Sequence, residues 1–170
     1  MKKIILVLIF ITSILGCSNR NVIRNTEQGS YASTTKHYDS FTNKSTVSAG
    51  DITVYKSGFT FVNGQLSFVD GKYIIVAKYT SSNRFGAGQL FINSVYLDGG
   101  HKLDFKVINM ASNDRDFSSE LFAIALPDKY INLVKSNGLR IKVNGSSSSI
   151  IITMSKEYIS GFLRKKNELY

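Results

Sequence analysis

Phe59–Thr80, FTFVNGQLSFVDGKYIIVAKYT, is the stretch that decides the fold. Phe59–Val62 is a short β-favouring run, Asn63-Gly64 follows it, and Gln65–Val69 resumes the pattern. Asn-Gly between two apolar runs is a strong hairpin signal, because a type I′ turn needs φ > 0 at both central residues. Asp70-Gly71 repeats the device before Lys72–Thr80, where Ile74, Ile75, Val76 and Ala77 are apolar in succession. Such a run suits a central strand covered on both faces. The stretch therefore predicts turns at Asn63-Gly64 and Asp70-Gly71 and an antiparallel sheet around Lys72–Thr80.

Working towards the N-terminus, Asp51–Tyr55 is another short strand before Ser57-Gly58. Thr46-Val47 starts a short edge strand, and Tyr38–Thr42 opens the folded part. Working the other way, Ser81–Gly88 reads as a loop and Gln89–Leu97 as a long strand closed by Asp98-Gly99-Gly100. Leu103, Phe105 and Val107 alternate with Lys102, Asp104 and Lys106, which predicts one buried and one wet face. Asn109–Glu120 has no period and reads as a polar loop. Leu121–Leu126 is a buried strand that stops at Pro127, which cannot donate to a ladder. A short helix follows, with Asp128 as its cap, Tyr130, Leu133 and Val134 on one face, and Asn137-Gly138 at its end. Leu139, Ile141 and Val143 alternate with Arg140, Lys142 and Asn144; Asn144-Gly145 then turns the chain into Ile150-Ile151-Ile152, which reads as a central strand. Ser155 caps a last helix whose apolar stripe is Tyr158, Ile159, Phe162 and Leu163. Arg164, Lys165 and Lys166 stand where a helix C-terminus favours cations. Seven to nine short strands at such spacings predict a mainly β protein, an antiparallel β-sandwich or barrel-like fold, with two short helices near the C-terminus.

The first residues predict location. Lys2 and Lys3 precede the apolar run Ile4–Ile11, which is shorter than the ~20 residues a bilayer-spanning helix needs. Ile14-Leu15-Gly16-Cys17 resembles the bacterial lipobox, which implies cleavage before Cys17 and a lipid on its thiol. The domain reading is then 1–16 as lipoprotein signal, 17–38 as a flexible tether carrying lipidated Cys17, and 39–170 as one β domain. A terminal arm docked on that domain is the other reading of the polar stretch. With Ser18 rather than Asp after the cysteine, the expected site is the outer membrane where the cell has two membranes, and otherwise the outer face of the cytoplasmic membrane.

Composition narrows the chemistry. The 170 residues favour one domain, and 43% hydrophobic content can fill a core. Cys17 is the one cysteine, so no intramolecular disulfide, cysteine-based zinc site or thiolate nucleophile is expected. His37 and His101 are the two histidines, one at the end of the tether and one just past a glycine turn, where catalytic work is not expected. Asp114, Asp116 and Glu120 lack the glycine and the ligand spacing of a calcium loop, and Gly86-Ala87-Gly88 lacks a third glycine and a helix. No cofactor or metal is expected.

The formal charge of +9 falls to +7 when Lys2 and Lys3 leave with the signal. Lys102, Lys106, Arg140 and Lys142 fall on wet strand positions, and Arg164, Lys165 and Lys166 are the candidate contacts to an anionic surface. Headgroups, lipopolysaccharide phosphates or an acidic envelope protein are the expected partners; an exported protein has little access to nucleic acid.

Three segments also carry a resemblance. They are Tyr38–Thr42 with Thr46-Val47, Asn93–Tyr96 through Phe105, and Leu126-Pro127 through Gly138–Val143 to Tyr158–Leu163. In this order they resemble a group of small bacterial lipoproteins and exported proteins, in which an aromatic Trp segment stands where Asn83-Arg84-Phe85 stands here. The resemblance implies the architecture and no particular activity. The expected function is a non-enzymatic, lipid-anchored envelope protein that binds a partner or supports an envelope assembly. The alternatives are a binding module for a lipid, glycan or peptide and, more distantly, a cell-wall hydrolase.

Overall fold

The two longest ladders of the protein come from the stretch quoted above. In the computed structural model, which describes residues 25–40, 43–82, 88–112, 117–146 and 148–170, Thr60–Val69 pairs with Lys72–Ser82 without a break. The turn between them is Asp70-Gly71, with φ of 50° and 78° at its two central residues. Asn63-Gly64 is not a turn: both residues lie inside the strand, opposite Lys78 and Ala77. The reason is packing. A Cβ at Gly64 would stand 3.4 Å from the side chains of Val54 and Met154, so the position packs against both. Asn63 Oδ1 meanwhile accepts from the Thr53 hydroxyl at 3.0 Å.

In chain order the elements are α1 (Glu27–Ser33), β1 (Thr35–Asp39), β2 (Lys44–Ser48), β3 (Ile52–Ser57), β4 (Thr60–Val69), β5 (Lys72–Ser82), β6 (Ile92–Leu97), β7 (His101–Lys102), β8 (Phe105–Ser112) and β9 (Phe117–Leu126). A 3-10 turn at Asp128–Tyr130 leads into α2 (Ile131–Asn137), followed by β10 (Leu139–Gly145), β11 (Ser149–Met154) and α3 (Lys156–Leu169). The larger sheet has the order β1-β2-β4-β5-β9-β8, with β3 on the same edge of β4 as β2; the smaller has the order β11-β10-β6-β7. All pairings are antiparallel. The protein is thus mainly β, in two antiparallel sheets consistent with a β-sandwich.

One cluster of buried side chains joins the layers. Tyr73, Ile75, Ala77 and Tyr79 of β5 and Phe122, Ile124 and Leu126 of β9 meet Val95, Leu97, Ile141, Val143, Ile150 and Ile152 of the smaller sheet. Each fully buried aliphatic or aromatic side chain contributes about 1.5–3 kcal/mol through removal from water. Tyr158, Ile159, Phe162 and Leu163 of α3 close the core, as their helical spacing predicts. Ser155 caps that helix by accepting from the Tyr158 N–H at 3.1 Å.

Several sequence expectations are corrected. Residues 25–38 are not a flexible tether. Thr26 caps α1, which packs on α3, and β1 pairs with β2, so β1 rather than β2 is the edge strand. Asn109–Ser112 and Phe117–Glu120 are strand rather than loop, because their backbones complete the β8–β9 ladder. Phe105 and Val107 are half-buried, since β8 is the other edge and its register shifts between Val107 and Asn109. Ile151 is 39% exposed because β11 is also an edge strand with one wet face. Asp128 makes no side-chain cap; Pro127 occupies the cap position of the 3-10 turn. Cys17, the signal segment, Asn83-Arg84-Phe85, Asp114 and Asp116 lie outside the described residues.

Candidate functional site: the outer face of the smaller sheet

Alternation along β10 builds this face. Leu139, Ile141 and Val143 point into the core, so Arg140 and Lys142 point outwards. The register sets Tyr96 of β6 opposite both Lys142 of β10 and Lys102 of β7, and sets Thr153 of β11 opposite Arg140. A half-buried tyrosine therefore stands between two exposed lysines, with the Arg140 guanidinium one row along. In the next row the other way, Asn144 Nδ2 donates to the Ser94 hydroxyl at 3.0 Å. The turn after β6 brings Asp98 to the row of Arg140, where the Asp98 N–H donates to the Arg140 carbonyl at 2.9 Å. Gly99 and Gly100 complete that turn at φ of 90° and 82°. Three cations thus share this surface with the Asp98 carboxylate.

Two open depressions flank Arg140. A groove of about 390 Å³ runs over the sheet between Tyr96, Asp98, Arg140, Lys142 and Ile151. A cleft of about 780 Å³ lies between the sheet and α2, where Asn25, His101, Leu133, Asn137 and Ser155 join Asp98 and Arg140. Its lining mixes apolar and hydrogen-bonding side chains. His101 and Asp98 share the cleft, but among the described residues no hydrogen bond joins them. The His101 ring lies against that of Tyr130, with centroids 5.1 Å apart.

The cations singled out at the end of the last helix are engaged within the protein. Arg164 donates to Glu27 Oε1 at 2.8 Å and lies 4.4 Å over the Tyr31 ring. Lys165 donates to Glu168 at 3.1 Å and to the Tyr31 hydroxyl at 3.5 Å. These hydrogen bonds, first that to Glu168 and then that to Tyr31, raise the Lys165 ammonium above its ordinary pKa. The Tyr31 hydroxyl donates to Glu168 Oε2 and, followed by Lys165, lowers the pKa of that carboxyl. Lys166 donates to the Tyr73 hydroxyl at 3.3 Å and lies 4.5 Å over the Phe68 ring. Arg164 and Lys165 hold α1 on α3, and Lys166 ties α3 to the larger sheet. Their side chains thus also serve as a clasp between elements.

Sequence reasoning marked Arg140, Lys142 and Lys102 as wet cations but missed Tyr96, whose strand partner on β10 is fixed only by the sheet order. It also read Glu120 as part of a solvated acidic loop. Glu120 instead faces inwards on β9, fully buried, with Oε1 accepting the Phe91 N–H at 2.7 Å. That bond holds Phe91, a non-glycine residue at φ 50°, at the start of β6. Oε2 meets no donor among the described residues. Ser81 and Ser118 are buried on the same inner face, two pairs along the ladder from Tyr79 and Glu120. No group of three metal-binding side chains occurs among the described residues.

No protein-family model, curated protein or solved structure matches this chain.

Proposed function

We propose that this is a non-enzymatic, lipid-anchored envelope protein, fixed to its membrane through Cys17, that binds a partner with the outer face of its smaller sheet. The observation that carries the reading is the placement of Lys102, Lys142 and Arg140 around Tyr96, on a face that no other described element covers. A ring with an apolar face among cations suits an anionic partner, through charge and stacking together. The anchor rests on the lipobox resemblance of Ile14–Cys17.

The mature N-terminus tests the anchor. Mass spectrometry is expected to find Cys17 first and acylated, and Cys17→Ala is expected to leave an unprocessed precursor. A photoreactive residue replacing Tyr96 tests the face in intact envelopes. Adducts are expected from that position and not from Lys106, which is exposed on the other sheet. A mature chain without lipid, or equal labelling at the two positions, overturns the corresponding half of the proposal.

The cleft beside α2 favours a second reading, a module for a small amphipathic ligand, because Leu133 and Met154 line it together with Asn137, Ser155 and Arg140.

A further inference from the structure

The first described residue, Asn25, lies at one corner of the cationic face. Ser155 Oγ lies 3.0 Å from the Asn25 carbonyl oxygen and donates to it, so the chain is pinned at the start of α3 on the rim of the cleft. From there α1 runs alongside α3, with Glu27 at Arg164 and Tyr31 at Glu168. The point where the chain leaves towards its N-terminus is therefore fixed relative to Arg140 and Asp98, which line the same cleft. Eight peptide steps separate Asn25 from Cys17. Such a span reaches at most ~29 Å when extended, and ~16 Å as a coil. A span of that length is far shorter than a stalk from residue 17 to residue 38 would be, and its described end lies beside the cations.

If Cys17 carries the lipid, as proposed above, the ~16 Å of a coiled span, shorter than the ~21 Å of α3, favours this end of the domain at the bilayer. We infer that the Asp98–Arg140 end of the smaller sheet lies on the anionic headgroups of the membrane that holds the anchor, with Arg140, Lys142 and Lys102 meeting headgroup phosphates. The guanidinium fork of Arg140 matches phosphate oxygens in a two-point contact, and the lysines add charge that a nearby anionic surface attracts. Leu133 and Ile151, 45% and 39% exposed, sit at the two depressions beside Arg140, where an interfacial layer can cover apolar surface. The far end of α3 is different. It packs on Phe68 and Tyr73 near the Asp70-Gly71 turn, about 21 Å along the helix from Ser155.

The lipidated mature protein in vesicles tests the inference. With Cys17 capped by lipid, an introduced cysteine is the one free thiol and takes a spin label. Thr153→Cys reports on the face beside Arg140, and Lys72→Cys reports on the far turn; both positions are exposed. In phosphatidylcholine vesicles with about a third phosphatidylglycerol, the Thr153 label is expected to relax with a lipid-soluble agent. The Lys72 label is expected to relax with a water-soluble one. Raising salt past the range where the screening length is about 10 Å, or introducing Arg140→Glu with Lys142→Glu, is expected to return the Thr153 label to water. Should that double variant misfold, Arg140→Gln with Lys142→Gln takes its place, with a thermal midpoint equal to the parent as the control. A Thr153 label in water in every vesicle overturns the inference, as does a lipid-side label indifferent to salt and to both variants. Covalent capture of a protein rather than lipid from Tyr96 in envelopes likewise overturns it. Mass spectrometry of the same preparation shows separately whether Cys17 is acylated, so a failed anchor is told apart from a failed orientation.

Discussion

At Gly161 two helices come so close that a side chain has no room. A Cβ built there falls against the Glu27 carbonyl oxygen and stands 2.9 Å from the Tyr31 nitrogen, both of them backbone atoms of α1. On an open helix, Gly→Ala stabilises by about 0.5–1 kcal/mol, because alanine loses less backbone entropy on folding. Here the sign is expected to reverse. Gly161→Ala is expected to destabilise the protein by about 1–3 kcal/mol, the usual cost of overpacking, read as a lower urea midpoint at unchanged slope. A higher midpoint would mean that α1 can lift away without cost. Nothing in ISGFL distinguishes this glycine from an ordinary weak spot in a helix, since its partner lies more than a hundred residues earlier. The glycines of Asn63-Gly64 and Asp70-Gly71 teach the same lesson. Both dipeptides carry the hairpin signal, but only the second sits where the β4–β5 ladder reverses; the first is held extended by neighbours from β3 and β11.

Among the elements, α1 departs most from its sequence. Glu27–Ser33 is short and polar and has no apolar stripe, so it has little reason to be helical alone. It is held instead by small residues against α3 and by polar contacts. The Ser30 hydroxyl, fully buried, donates to the Tyr158 carbonyl at 2.7 Å, and Arg164, Lys165 and Glu168 meet Glu27 and Tyr31. Such docking is invisible to periodicity, whereas the stripe of α3 and the alternation of β10 are legible because each repeats with its own period. The cationic face was legible in the same way, through Arg140 and Lys142, while its tyrosine and the clasp role of Arg164–Lys166 depend on distant pairings. The clasp carries a pH dependence with a definite sign. The Glu168 carboxyl is held below its ordinary pKa by the Tyr31 hydroxyl and Lys165, so it binds protons less readily folded than unfolded. Its contribution to stability is present above its unfolded pKa and is lost as pH falls through the lower folded one. Carboxyl NMR titration is expected to show Glu168 below the usual glutamate range, and Glu168→Gln is expected to remove that part of the acid sensitivity. A Glu168 midpoint at or above the usual range would show that the clasp is open in solution.

Taken as a whole, the described structure is closed by its first and last segments. Besides the α1–α3 contacts, Lys36 Nζ of β1 donates to the Leu169 carbonyl at 2.9 Å and lies 4.8 Å over the Tyr170 ring. Tyr170 in turn packs edge-on against Phe68, and its hydroxyl donates to the Ser45 carbonyl at 3.4 Å. The first and last described segments thus brace each other and cover one edge of the larger sheet. Deeper in, the Tyr158 hydroxyl links α3 to the break between β2 and β3, accepting the Leu66 N–H at 3.3 Å and donating to the Gly50 carbonyl at 2.9 Å. Two truncations follow from this arrangement. Starting the chain at Ser40 removes α1 and β1, which costs β2 its outer partner and strips α3 of its cover. Ending it at Arg164 removes the last turns of α3 that β1 and β2 lean on. Each is expected to lower the thermal midpoint by many degrees. Because they break the same contacts, the double truncation is expected to cost clearly less than the sum of the two. Additive losses would show that the ends stabilise the sandwich independently, and an unchanged midpoint on starting at Ser40 would return residues 25–39 to the role of a tether.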